Sequence, residues 1–379
     1  MATYKAEFLS HYYQGRLRPR AAYAMGLIQV WARIASLMPG LVNTVSGSRR
    51  LAPALKAAAG LAPQRQVPRF APRTFRSWMR GRTMANPAGT PVLLWVDTFS
   101  NHFQPEVAIA AVEVLEDAGF RVGIPAQTLC CGRPLYDYGM LETARHYLQD
   151  VLKALGGEIR TGVPVVGLEP SCVAVFRDEL GNMMPNDENA RRLAAQTFTL
   201  AELLARYAPD WTVPTLAGAA LVQVHCHQGA VLGFGSEEAL LKRLGLQVTV
   251  PDAGCCGMAG SFGYEAGQNY DVSIACGERV LLPLVRGAAP ECLIIADGFS
   301  CREQIAQNTG RRALHLAQVL RLGMQIDALD AYPENGASVP PAHPAGSRRR
   351  PTLLAAAGAT GAAAVAITAR AVVARKRQH

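Results

Sequence analysis

Two adjacent cysteines followed by a glycine occur twice in this chain of 379 residues, as Cys130-Cys131-Gly132 and Cys255-Cys256-Gly257. Adjacent cysteines are poor partners for an ordinary disulfide with each other, but both sulfurs can reach one metal assembly. Glycine has no Cβ, so the backbone can approach the sulfurs and direct N–H groups at them. The repeated motif therefore predicts thiolate ligation of a metal.

The full cysteine set argues against two commoner uses. The chain has nine cysteines, an odd number, and its opening residues MATYKAEFLS lack the apolar core of a secretory signal peptide. A disulfide framework is therefore not expected. Zinc stays open as a metal, but its usual signature of two C-x2-C pairs does not occur in the sequence.

Each motif lies within a longer repeat. The first repeat contains PVLLWVDTF, FRVGIPAQTLCCG, VPVVGL and EPSC, and the second contains ALVQVHCH, LQVTVPDAGCCG, ECLIIA and DGFSC. Short β-branched runs that alternate with helix-period segments are typical of βαβ units. We predict an α/β fold of two tandem, pseudo-symmetric lobes with parallel sheets.

The cysteines follow the predicted strands, and ligands of open α/β sheets gather at the carboxyl ends of strands. In the second repeat, four thiols from three loops would meet there, and four thiolates match a [4Fe–4S] cluster. The predicted ligands are Cys226, Cys255, Cys256 and Cys301. The alternative is that these are buried core cysteines.

The pattern C…CCG…CxxC over residues 91–325 resembles the cysteine-rich domain found in the B-subunit of heterodisulfide reductase. This domain also occurs in iron–sulfur subunits of glycolate oxidase, anaerobic glycerol-3-phosphate dehydrogenase and lactate-utilisation proteins. The resemblance implies two tandem domains that bind iron–sulfur clusters. It also implies electron transfer between a flavin or ferredoxin and a quinone or disulfide acceptor.

The sequence departs from the family pattern in both repeats. Repeat 2 has Gly298 where the first cysteine of CxxC would stand, which leaves four of five cysteines and argues against a five-cysteine cluster. Repeat 1 has Asp97 and Glu169 at ligand positions, and oxygen is a poor match for iron–sulfur chemistry. The cysteines that remain there are Cys130, Cys131 and Cys172. The sequence thus favours a cluster in repeat 2 over one in repeat 1.

His225 and His227 flank Cys226 and invite comparison with Rieske centres, where imidazole replaces thiolate. Rieske histidines lie on separate loops, so we expect these two to donate hydrogen bonds to cluster sulfur or to cap the strand end. Cys276 and Cys292 fall in a helical run and at a strand start, and we interpret both as core residues.

The two ends of the chain are basic and the region between them is acidic. Residues 1–90 hold 14 Lys or Arg and one acid, Glu7, and the last 42 residues hold 7 basic residues and no acid. No stacking platform or recognition module accompanies this charge, so we expect no nucleic acid partner. We expect the basic segment to dock on the acidic body or on a partner.

The opening residues MATYKAEFLSHYYQGR resemble the helix that follows the last cysteine motif of a ferredoxin module in fused oxidases. In those proteins an FAD-binding D-2-hydroxyacid dehydrogenase domain comes first and the cysteine-rich pair last. The resemblance implies an FAD-binding dehydrogenase and a ferredoxin-type module as partners or as a missing upstream part. FAD is expected only there.

The predicted organisation has five parts. A basic helical and linker segment (1–90) precedes repeat 1 (91–185), an inter-repeat helix and linker (186–218) and repeat 2 (219–325). A linker and an Ala-rich tail (326–379) follow, and an uncharged run within 353–373 suggests a membrane contact as the alternative to a low-complexity tail. We expect the chain in the cytoplasm, with the inner face of the membrane as an alternative place.

These observations predict an iron–sulfur electron-transfer subunit of a flavin-dependent 2-hydroxyacid (D-lactate or glycolate type) dehydrogenase, an oxidoreductase component without substrate turnover of its own. Two alternatives stay open. One is a disulfide or thiol–quinone reductase of the heterodisulfide reductase type, and the other is a non-catalytic protein that docks a partner.

Overall fold

The computed structural model describes residues 2–325. The predicted Ala-rich tail and its membrane contact lie outside these residues and stay predictions. Within the described residues, no helix is both long and apolar enough to cross a membrane.

The N-terminal segment is helical and packs on the rest of the chain. Its helices are α1 (Ala2–Tyr12), α2 (Arg20–Gly26), α3 (Ile28–Ala35), α4 (Pro39–Gly47), α5 (Ala52–Ala59) and α6 (Phe75–Arg80). Pro39 occupies the first position of α4, where its missing N–H and its fixed φ are tolerated. All six helices lie within the segment predicted as helical and linker (1–90).

The basic residues of this segment reach the body mainly through backbone carbonyls. Arg65 is buried and donates to the Gly263 carbonyl at 2.7 Å and to Ser273 Oγ at 3.0 Å. Arg18 donates to the Gly139 carbonyl at 2.7 Å, and Arg82 forms an ion pair with Glu116. The basic N-terminal segment is therefore attached to the body more by hydrogen bonds to backbone carbonyls than by attraction between net charges.

The first lobe contains a four-stranded parallel sheet in the order β2-β1-β3-β4. Its strands are β1 (Thr90–Trp95), β2 (Phe120–Gly123), β3 (Val165–Gly167) and β4 (Thr197–Thr199). Its helices are α7 (Thr98–His102), α8 (Pro105–Asp117), α9 (Arg133–Asp137), α10 (Leu141–Ala154), α11 (Gly156–Thr161), α12 (Pro170–Ala174), α13 (Leu180–Met183), α14 (Glu188–Ala195) and α15 (Leu200–Tyr207). A π-helical turn at Val175–Glu179 joins α12 to α13.

The second lobe contains a three-stranded parallel sheet in the order β6-β5-β7. Its strands are β5 (Gly218–Val222), β6 (Leu246–Thr249) and β7 (Leu293–Ile295). Its helices are α16 (Gly235–Arg243), α17 (Gln268–Glu278), α18 (Leu281–Gly287), α19 (Phe299–Thr309) and α20 (Leu316–Gln325). Short π and 3₁₀ turns occur at Gln228–Leu232 and Phe262–Tyr264. The predicted α/β architecture of two parallel-sheet lobes is confirmed.

The described residues form four hydrophobic cores, and alternation along the central strands separates the three that contact the sheets. Val92 and Leu94 of β1 contact the same central core as Ala220 and Val222 of β5, so the inner faces of both sheets share one core. The opposite faces pack in separate cores, and each of these contains two cysteines: Cys131 and Cys172 in lobe 1, Cys256 and Cys301 in lobe 2. Successive strand residues point to opposite faces, so one short strand supplies both the shared core and the cysteine-bearing side.

Candidate metal centre

Every predicted ligand lies just beyond the carboxyl end of a parallel strand. Cys226 follows the central strand β5, Cys255 and Cys256 lie in the loop after β6, and Cys301 lies in the first turn of α19 after β7. Lobe 1 repeats this placement with Asp97 after β1, the pair at 130 and 131 after β2, and Cys172 in the first turn of α12. The parallel topology thus assembles each set at one sheet edge.

The four thiols of lobe 2 form a continuous group. Cys301 Sγ lies 3.4 Å from Cys256 Sγ, and Cys255 is close enough to Cys226 and Cys256 for the three thiols to shift one another's pKa values. The proximity of Cys255, together with burial, raises the pKa values of Cys226 and Cys256. The same two neighbours lower the pKa of Cys255. Thiolates this close repel one another, so joint deprotonation requires positive charge such as iron provides. The donor set fits a four-thiolate cluster.

Gly257 makes the lobe 2 loop possible. Its φ is +93°, and a Cβ at this position would lie 2.1 Å from the carbonyl oxygen of Ser273. The loop backbone packs directly on α17, which allows the Gly257 N–H to donate to Cys255 Sγ at 3.3 Å. Only glycine meets both requirements, conformation and space.

Lobe 1 holds three thiols and no fourth. Cys131 Sγ lies 3.0 Å from Cys172 Sγ, and the Gly132 N–H donates to Cys130 Sγ at 3.5 Å. The hydrogen bond with Cys131 lowers the pKa of Cys172, but burial and the nearby carboxyls of Asp97 and Glu169 outweigh it and raise this pKa to about 11. Burial also raises the pKa values of both carboxyls.

Both carboxyls at the ligand positions of lobe 1 have structural partners. Asp97 is the N-cap of α7 and accepts from the N–H groups of Phe99 at 2.8 Å and Ser100 at 2.9 Å. Glu169 reaches into lobe 2, where it accepts from the Phe299 N–H at 2.8 Å. It therefore helps to satisfy the N-terminus of α19, the helix that carries Cys301. These hydrogen bonds give the two residues a role that needs no metal.

One cavity of about 600 Å³ is lined by both cysteine groups. It lies between the lobes, and all seven predicted ligand cysteines contribute to its wall. The N-terminal segment closes part of it with apolar side chains, among them Met25, Ile28, Leu61 and Phe70. Cys276 and Cys292 are half-buried and lie outside this wall.

Charged and aromatic groups border the lobe 2 thiols. Burial, together with the Arg133 guanidinium, lowers the pKa of His225 to about 4 and that of His227 to about 3. Arg133, from lobe 1, is buried and forms ion pairs with Asp137 and Glu179. Arg133 is not among the residues predicted from the sequence, although it directly follows Cys130-Cys131-Gly132.

Sequence comparison connects this arrangement with known proteins. The family described as "Cysteine-rich domain" (CCG) matches residues 97–177. D-2-hydroxyglutarate dehydrogenase from Pseudomonas putida is 27% identical over 332 residues, which are 84% of this chain and 32% of that protein. The chain therefore spans about a third of that relative's length.

Two shorter relatives are covered more completely. The C-subunit of anaerobic glycerol-3-phosphate dehydrogenase from Escherichia coli K12 is 28% identical over 293 residues, 74% of this chain and 72% of the relative. Lactate utilization protein A from Bacillus subtilis is 30% identical over 245 residues, 60% of this chain and 98% of the relative. These matches confirm the resemblance that the cysteine pattern predicted, and the chain belongs to the cysteine-rich (CCG) domain family.

Proposed function

We propose that this chain is an iron–sulfur electron-transfer component of a 2-hydroxyacid dehydrogenase system. Its cluster is held by Cys226, Cys255, Cys256 and Cys301. The observation that carries the proposal is the convergence of these four thiols on the wall of one cavity. The names of the relatives, two dehydrogenases and a lactate utilization protein, support an oxidoreductase setting.

When bound, a [4Fe–4S] cluster accepts and releases one electron at a time. The residues of this chain would hold it and set its potential. The Gly257 N–H next to Cys255 Sγ is one such group, because hydrogen bonds to sulfur stabilise the reduced form. Burial of Cys256 and Cys301 acts through the surrounding dielectric.

The electron donor in this proposal is a flavin-dependent dehydrogenase that works with a ferredoxin-type module. FAD is bound by that partner. The N-terminal segment offers a surface for it, because it lines part of the cavity and also exposes large apolar residues to solvent. The most exposed are Tyr4 (80%), Phe8 (64%), Leu17 (84%) and Leu37 (81%). Exposed apolar patches with basic residues between them favour protein association.

The test is iron and acid-labile sulfide analysis with EPR after purification without oxygen. We expect the parent protein to carry iron and Cys255→Ala to lose nearly all of it. Cys292→Ala is the matched control, because this cysteine lies outside the cavity and should leave the iron content unchanged. Iron that survives Cys255→Ala at the parent level would contradict the proposal.

The cavity supports a second candidate function, a disulfide or thiol–quinone reductase. Its volume of about 600 Å³ is enough for a small substrate next to the thiols of lobe 2. This candidate requires turnover by the purified chain, whereas an electron-transfer component needs its dehydrogenase. Reduction of a model disulfide or quinone by the iron-loaded chain with a chemical reductant decides between them.

A further inference from the structure

Gly298 stands where the family pattern places a cysteine, and a histidine fills the space next to it. A Cβ built on Gly298 would lie 2.3 Å from Cδ2 and 3.1 Å from Nε2 of His225. Real Cβ atoms essentially never approach another heavy atom so closely. The imidazole of His225 therefore occupies the volume that the side chain of a cysteine at 298 would need.

The hydrogen bonds of His225 determine which ring nitrogen carries the proton. Nδ1 accepts the backbone N–H of His227 at 3.2 Å, so Nδ1 is unprotonated and the ring proton is on Nε2. The ring is stacked on that of His227, with centroids 5.2 Å apart and planes 16° apart. The tautomer and the ring orientation are both held by His227.

Nε2 is the unused group of this side chain. His225 is only 6% exposed, and its Nε2 forms no hydrogen bond with any of residues 2–325. A donor that lies on the wall of a cavity is free to pair with an acceptor placed there, and hydrogen bonds to an ionised acceptor are the stronger ones. His225 lines the cavity, and a ring nitrogen lies within 4.8 Å of Cys226 Sγ.

We propose that His225 takes the place of the missing fifth cysteine and donates its Nε2–H to a sulfur of the lobe 2 cluster. This inference rests on the proposed function, since it requires a cluster on Cys226, Cys255, Cys256 and Cys301. Direct ligation by Nε2 would need a lone pair there and a proton on Nδ1. Two N–H groups, those of Nδ1 and of His227, would then face each other.

The exchange of cysteine for histidine has an electronic consequence. A fifth thiolate would add a negative charge to the site, which disfavours reduction. A neutral N–H donor stabilises the extra negative charge of the reduced cluster and raises its reduction potential. His225 is thus a positioning and tuning residue, and not a ligand.

The experiment compares His225→Leu with the parent by iron analysis, redox titration and ENDOR spectroscopy in H2O and D2O. We expect unchanged iron content, a lower reduction potential and the loss of one exchangeable-proton coupling. His146→Leu, the same substitution at an exposed histidine on α10, is the matched control and should change none of the three.

A second pair of variants tests the spatial exchange. Gly298→Cys alone should lower iron content or stability, because the new Cβ meets the His225 ring. In the double variant His225→Ala with Gly298→Cys the ring is gone, so iron content should return to the parent level with a changed EPR signal and a potential below that of the parent. If His225→Leu loses its iron, His225→Gln is measured next, because the glutamine amide can still donate a hydrogen bond. Iron content that recovers in His225→Gln supports the role of His225 as a donor.

The outcomes distinguish failure of the donor role of His225 from failure of the proposed function. A parent protein without iron overturns both. If His225→Leu keeps its full iron content, reduction potential and proton coupling, His225 is not a donor to the cluster, but the proposed function still stands. A strong nitrogen coupling of a direct ligand in the parent, or iron loss in both His225→Leu and His225→Gln, also overturns the donor role.

Discussion

The two lobes share a topology but use the position after their central strands differently. In lobe 2 this position is Cys226, one of four converging thiols, whereas in lobe 1 it is Asp97, which caps α7. Glu169, at the other altered position of lobe 1, holds the N-terminus of α19 in lobe 2. His315 of lobe 2 in turn contacts the Leu168 carbonyl of lobe 1 at 2.9 Å. One lobe has the complete thiol set, and the other supports the helix that carries part of it.

Substitution of equivalent cysteines gives the largest expected effect. Cys256→Ala should remove nearly all bound iron, because a four-thiolate shell has no spare ligand. Cys131→Ala, at the equivalent position of lobe 1, should retain most of it. Iron analysis without oxygen measures both. Equal losses from the two variants would mean that both lobes hold metal, and the comparison between them would fail.

The glycines of the two motifs should also differ. In Gly257→Ala the alanine would have to adopt a left-handed φ of +93°, and its Cβ would lie 2.1 Å from a carbonyl oxygen. We therefore expect a loss of roughly 4 kcal/mol in unfolding free energy. Gly132→Ala keeps φ at +81° but meets only Ala144 atoms at 3.4 Å, so we expect roughly 1 kcal/mol. Chemical denaturation of both variants provides the measurement, and similar losses would contradict the expected asymmetry.

The N-terminal segment should loosen from lobe 1 in acid but not from lobe 2. His102 contacts Ser36 Oγ at 2.7 Å, and burial, helped by Arg33 and Arg76, lowers its pKa to about 4. A histidine with a lowered pKa stabilises the fold fully above pH 6.5 and loses that contribution as the pH falls towards 4, here up to about 3 kcal/mol.

Unfolding free energies at pH 7 and pH 4.5 test this for the parent and for His102→Gln. The variant should lose less stability in acid than the parent. Arg65, the contact to lobe 2, keeps its charge throughout this range. An identical pH dependence in parent and variant would show that His102 does not contribute.

The contact between the lobes gives the smallest effect. Glu169→Ala leaves the buried Phe299 N–H without an acceptor and should cost about 1–3 kcal/mol. Glu169→Gln keeps an acceptor oxygen and should cost less. Thermal unfolding measures both, and iron content reports whether Cys301 has moved. No difference between the alanine and glutamine variants would rule out the hydrogen bond as the cause.

The sequence predicted the strands at both motifs and the convergence of the lobe 2 thiols, because both follow from βαβ periodicity and the placement of cysteines after strands. It did not predict β4, a three-residue strand in the segment expected to be helix and linker. Its pairing with β3 depends on tertiary contact and not on local pattern. The contacts of Glu169 with Phe299 and of His225 with Gly298 were also missed. Both join residues far apart in sequence, and periodicity does not encode them.

The N-terminal helices have a further consequence for handling the protein in air. Met25, Ile28, Leu61 and Phe70 form part of the cavity wall beside the thiols, so they cover one side of the cavity with apolar side chains. Thiolates and clusters oxidise at a rate set by access. The lifetime of the proposed cluster under aerobic conditions should therefore depend in part on a segment that contributes no cysteine ligand to it.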